Sequence, residues 1–124
     1  MYFRIEHNIS SYVHFLVINL TQIMSAVVLD DHDTSILAET FHLLGDPTRL
    51  RIVIACLAGP VSVGDIAARV GASPSLASHH LRLLKAARLV AAERRGKQVF
   101  YAAADDYIRT VLDDMIEHIA EDES

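Results

Sequence analysis

Three residues near the carboxy terminus, Asp105, His118 and Glu121, supply the oxygen and nitrogen donors that a divalent transition metal takes, and Tyr107 stands among them. A carboxylate and imidazole set of this kind suits zinc, cobalt or nickel. The spacing of Tyr107, Asp114, His118 and Glu121 places them on one flank of a helix, with Asp105 at its start. Thirteen residues separate Asp105 from His118, so at 1.5 Å of rise per residue they stand roughly 20 Å apart on one helix and cannot share an ion. Two antiparallel copies remove the difficulty. Asp105 of one chain then meets His118 and Glu121 of the other, and a dimer holds two symmetric sites.

A second set of residues fits nucleic acid. On a helix beginning at Ser73-Pro74, a turn of about 100° per residue puts Ser75, Ser78, His79, Arg82 and Ala86 on one side, with Lys85 at its edge. Leu76, Ala77, His80, Leu83, Leu84 and Ala87 fall on the other, inward side. Small hydroxyls and a histidine at the start of a helix let its backbone approach the major groove, while Arg82 and Lys85 suit phosphates or guanine. Arg94, Arg95 and Lys97 follow in a basic hairpin that would grip the flanking minor groove or backbone. The net charge of −5 hides this pattern: six of the eleven basic residues fall between Arg82 and Lys97, and eight of the sixteen acids lie in the last twenty residues. One surface for phosphates and another for a cation would be charged in this way.

The elements that must position these groups are legible from caps and periodicity. Apolar positions Ile36, Leu37, Phe41 and Leu44 follow Asp33 at helical spacing and stop at Gly45, a helix expected to pack in a dimer core. Asp46-Pro47 opens a second helix carrying Leu50, Ile54 and Leu57; Ser62 caps a third that ends at Gly71. Residues 61–87 therefore read as helix, tight turn, helix, and residues 89–93 and 98–102 as two strands around the turn Arg94-Arg-Gly-Lys97. Asp105 or Asp106 caps the last helix, whose apolar stripe is Ile108, Val111, Leu112, Met115 and Ile119. The fold class is mainly α with a two-stranded β wing, a winged helix-turn-helix dimerising through its terminal helices. At 124 residues the chain holds one domain, expected over residues 25–124, with residues 1–24 as an amino-terminal arm. That arm is too short an apolar stretch to span a bilayer.

Leu44-Gly-Asp-Pro-Thr-Arg-Leu-Arg-Ile52, Ser73-Pro-Ser-Leu-Ala-Ser-His-His-Leu-Arg82 and Arg95-Gly-Lys-Gln-Val-Phe-Tyr101 resemble the ArsR/SmtB family of winged-helix metalloregulators, over roughly residues 37–121. The resemblance implies a homodimer bound to an inverted-repeat operator in double-stranded DNA and released by an inducer. Zinc-type members of that family are similar in the last helix, where Asp105, His118 and Glu121 fall on three of four ligand positions. Tyr107 stands at the fourth, where the family has histidine, and a neutral phenol is a poor ligand for these ions. Asp106, Asp114 or an amino-terminal histidine (His7, His14 or His32) would then supply the missing donor. The resemblance also implies that the second ring nitrogen of His118 donates to the backbone carbonyl near Arg88, linking sensor to reading helix.

A regulator of the same fold without a metal, answering a different signal, is the alternative, and Tyr107 is its best support. The family's other site, cysteines at the start of the third helix, is missing from Val61-Ser-Val-Gly64. The single Cys56 sits in an apolar run and excludes an intramolecular disulfide, which points to the cytoplasm. No nucleophile motif, glycine-rich phosphate loop or HExxH pattern is present, so no enzyme is expected.

Overall fold

The computed structural model describes residues 13–14, 16–20 and 29–122. It divides into two units, residues 1–37 and 38–124. Most of the arm 1–24, including His7, lies outside the described residues. Among the described residues from 29 onward, five helices and three strands follow in the order α1 (Asp31–Leu44), α2 (Pro47–Ala55), β1 (Val61–Ser62), α3 (Val63–Val70), α4 (Pro74–Ala86), β2 (Val90–Arg95), β3 (Gln98–Ala103) and α5 (Asp106–Asp122). Among the described residues no helix is long and apolar enough to cross a membrane.

Each start is fixed by a side chain that takes up an N–H the helix cannot use. Asp30 accepts from the Asp33 N–H at 2.8 Å, so α1 begins two residues ahead of the expected Asp33. Asp46 accepts from Arg49 at 2.9 Å, Ser62 from Asp65 at 3.2 Å, Ser73 from Leu76 at 3.1 Å, and Asp105 from Ile108 at 3.0 Å. A cap of this kind contributes about 1 kcal/mol. Pro47 and Pro74 occupy the first turn of α2 and α4, where a missing N–H costs nothing.

The strands form one antiparallel sheet in the order β1-β3-β2, with Val61 opposite Tyr101 and Arg95 opposite Gln98. Two details differ from the sequence reading. Strand β1 was not expected, since two residues are too few to show a period. Arg94 and Arg95 belong to β2, and the turn is only Gly96-Lys97, because Gly96 with φ 63° supplies the left-handed backbone that a tight hairpin needs.

The core of residues 38–124 gathers Ile52 and Val53 from α2, Cys56 at its carboxy-terminal cap, Ile66 from α3, Leu81 and Leu84 from α4, then Leu89, Val90, Tyr101 and, from α5, Leu112. Leu76 and Leu83, expected to face inward, are 44% and 39% exposed. The buried stripe of α4 is Ala77, Leu81 and Leu84 at four- and three-residue spacing. Leu76 and Leu83 each precede a member of that stripe by one position, about 100° round the helix. In α1 Leu43 is buried, whereas Ile36, Leu37 and Phe41 are largely exposed.

Cys56 is fully buried, and burial pushes its thiol up to about 11, with Arg69 opposing. At pH 8 about one part in a thousand is then thiolate, the reactive form. Alkylation by iodoacetamide at that pH should be at least ~100-fold slower in the native protein than in guanidinium. Similar rates would contradict the burial and reopen a redox role for this thiol.

Candidate nucleic-acid interface and metal centre

The helix-turn-helix is α3, the turn closed by Gly71 in the left-handed conformation, and α4. Because Leu81 and Leu84 are driven into the core, the opposite side of α4 is fixed facing out. Ser75, His79, Arg82 and Lys85 are exposed there and Ser78 is half-buried. The hydroxyl of Ser73 already caps the helix, so it contributes position as much as contact. His80 lies between the two faces. Its Nδ1 is buried with no hydrogen-bond partner among the described residues, and its ring centroid is 5.9 Å from that of His79. Burial, then the positive charge of Arg49, hold its pKa below the usual histidine range, with Asp46 opposing. Any protonation of His80 therefore works against the packing of the reading helix on α2.

On the wing, Arg95 is committed locally. Its Nε lies 3.0 Å from Glu93 Oε2 and its guanidinium carbon 4.9 Å from the centroid of the Phe100 ring. The hydrogen bond and charge of Arg95 hold the Glu93 carboxylate below its ordinary pKa. Both groups are more than half exposed, so the pair adds little stability. It orients the guanidinium and partly neutralises it. Among the described residues neither Arg94 nor Lys97 has an ion-pair partner within 4.0 Å.

In the last helix Asp105, Tyr107, Asp114, His118 and Glu121 are all exposed, Tyr107 at 82%. One Asp105 oxygen caps α5, which leaves the other for a ligand. A single chain does not assemble these groups: no cluster of three His, Cys, Asp or Glu side chains placed to hold a metal occurs among the described residues. His14 and His32 are exposed.

The apolar stripe of α5 splits in two. Leu112 enters the chain's own core with Ile108 packed against it, while Val111, Met115, Ile116 and Ile119 stay 41–56% exposed. Arg109, which the sequence reading missed, holds the helix in place: its Nε donates to the Leu57 carbonyl at 3.0 Å and its Nη1 to Asp106 at 2.6 Å. The only sequence signal for it was the three-residue spacing from Asp106, since Leu57 lies 52 positions away. Through this bond α5 is tied to the α2–β1 connection behind the reading head.

Comparison with known proteins agrees with the winged helix-turn-helix fold. Residues 46–92 match the family described as "Bacterial regulatory protein, arsR family". The chain is 38% identical over 85 residues to a transcriptional repressor SmtB homolog from Synechocystis, covering 68% of this chain and 64% of that repressor's length. It is 34% identical to a cadmium resistance transcriptional regulatory protein CadC homolog of Staphylococcus aureus, covering 65% of this chain and 68% of the relative. Its fold is similar to the homodimeric winged helix-turn-helix DNA-binding domain of Mb0332 from Mycobacterium bovis, with TM-score 0.66, 25% identity, and 76% and 89% of the two chains covered.

Proposed function

From the premise that this chain belongs to the arsR family of bacterial regulatory proteins, and so is a transcriptional regulator and not an enzyme, we propose that it is a homodimeric repressor released from its operator by a divalent metal. The observation that carries this reading is a capped reading helix and basic wing that share one core with a helix, α5, whose outer apolar side is exposed. Exposed apolar surface of this kind marks an interface. A second copy covering it through a twofold axis presents two reading heads to successive major grooves.

Ser75, Ser78 and His79 then read base edges, Arg82 and Lys85 contact bases or phosphates, and Arg94, Arg95 and Lys97 hold the backbone beside them, with Ser73 setting the entry of the helix. Asp105 of one protomer with His118 and Glu121 of the other hold zinc, cobalt or nickel, which supplies charge and fixed geometry between the two α5 helices. The donors suit such an ion, the pairing of two chains is needed to bring them together, and the cadmium in the name of the Staphylococcus relative supports a metal inducer. His118 bonding the carbonyl of Arg88 with its second nitrogen would join α5 to the end of α4, favouring a dimer geometry that no longer fits the operator. The protein acts where the chromosome is, in the cytoplasm.

Substitution of the wing tests the DNA reading. Arg94→Ala should weaken binding to all duplexes alike and reduce the slope of log affinity against log salt by about one. Arg95→Ala should do less, because Glu93 already takes part of its charge. Ser78→Ala and His79→Ala should instead relax sequence preference. An unchanged salt slope for Arg94→Ala would remove the wing from the interface.

A further inference from the structure

Of α5 from Asp106 to Glu121, only Ile108, Arg109 and Leu112 are not exposed. The helix is therefore attached to its own chain through its first two turns, and the later turns add no buried residue. Two of these attachments are apolar: Leu112 is buried in the core and Ile108 packs against it. Apolar contact is non-directional and tolerates a change of tilt. Arg109 supplies direction, because its Nε donates to the Leu57 carbonyl at 3.0 Å and a hydrogen bond weakens steeply when bent.

The acceptor lies where the helices of the reading head end. Cys56, beside Leu57, gives its carbonyl to the Ala103 N–H at 3.1 Å, and Leu89, just after α4, gives its carbonyl to the Ala104 N–H at 3.1 Å. Those two bonds hold the end of β3 to α2 and α4. Arg109 carries the same row of contacts one turn into α5. Asp106 accepts from its Nη1 at 2.6 Å; the Asp106 side chain is 94% exposed, so this pair orients the guanidinium more than it stabilises the fold.

The tilt of α5 has consequences in a dimer. Its 17 residues make a helix roughly 25 Å long. A swing of about 10° at the root then displaces the far end by about 4 Å, more than the ~3.4 Å step from one base pair to the next.

We propose that Arg109 is a positioning residue whose bond to Leu57 sets the tilt of α5 against the reading head, and so fixes the half-site spacing that a dimer accepts. The inference rests on the DNA-binding and dimer reading above and adds to it the residue that makes spacing specific. Without the bond each head still binds, while the distance and twist between the two heads become variable.

The test compares Arg109→Met with Arg109→Gln. Both side chains reach the position of Nε and both lose the partner Asp106, but only glutamine keeps a donor there. The probe is a duplex selected by the parent protein from a random-sequence pool, alongside the same duplex with one base pair inserted between its half-sites and a duplex carrying one half-site, all with metal chelated. The insertion moves the half-sites apart by about 3.4 Å and turns them by about 35°. It should cost the parent and Arg109→Gln roughly tenfold or more in affinity, and Arg109→Met roughly threefold or less. All three proteins should sediment as dimers and bind the single half-site alike. Parent-like discrimination in folded, dimeric Arg109→Met would overturn the proposal, as would loss of discrimination in Arg109→Gln, which would assign the effect to charge and not to the Leu57 bond. Weaker single half-site binding by Arg109→Met would make Arg109 a support of the head itself and also overturn it. Should Arg109→Met fail to fold, Arg109→Gln decides: parent discrimination with the Asp106 pair gone is expected, and a broadened preference overturns the bond's role. A parent that is monomeric or indifferent to the insertion would overturn the dimer reading as well.

Discussion

Val111→Asp should turn the protein into a monomer and lower its affinity for operator DNA by about 10²–10⁴-fold, the range lost when two linked contacts become one. Val111 is 56% exposed, about 100° round α5 from the buried Leu112, so the substitution leaves the core of its own chain alone. An uncompensated carboxylate facing Met115, Ile116 and Ile119 of a second copy is a different matter, because a charge removed from water without a partner costs several kcal/mol. Circular dichroism should be unchanged while sedimentation shows half the mass. A monomer that still binds with parent affinity would mean that one reading head suffices. A dimer that persists would mean that α5 is not the interface.

The second large effect concerns the inducer. Adding zinc, cobalt or nickel to the parent on its operator should reduce affinity by about 5- to 150-fold, the span of a coupling energy of 1–3 kcal/mol. His118→Ala should abolish that response and leave metal-free DNA binding as it was, since the imidazole is exposed. Cobalt distinguishes the causes: bound between two α5 helices it gives a visible absorption band whose stoichiometry can be titrated. Absence of the band, with full operator binding, would favour the metal-free regulator that Tyr107 supports. Tyr107→His, which restores an imidazole at that position, should tighten cobalt binding if Asp105 and its neighbours form the site. No change would place the site elsewhere.

Much of the fold was legible because short-range chemistry determines it. Asp46-Pro47, Ser62, Ser73-Pro74 and Asp105 announce helix starts by the N–H groups they satisfy, and Gly96 announces the hairpin. Features set by distant contacts were not legible. Strand β1 exists because Val61 and Ser62 meet Tyr101 and Phe100, and Arg109 finds its acceptor 52 residues away. The inward faces of α4 were blurred for a related reason: with leucine or alanine at positions 76, 77, 81, 83 and 84, hydrophobicity marks a broad arc, and only packing against α2 and α3 selects its middle. The proposed metal donors are the extreme case. Their residue types are plain in the sequence, yet along one helix Asp105 stands far from His118 and Glu121, so the proposed site needs a second copy of the chain.

In the proposed function, pairing through α5 underlies both the reading of successive grooves and the metal site, and sedimentation of the protein with a fluorescent operator duplex tests it most directly. Two protomers should sediment together without DNA at micromolar concentration, and two should occupy each duplex. A chain that sediments as one protomer in both states would contradict the account.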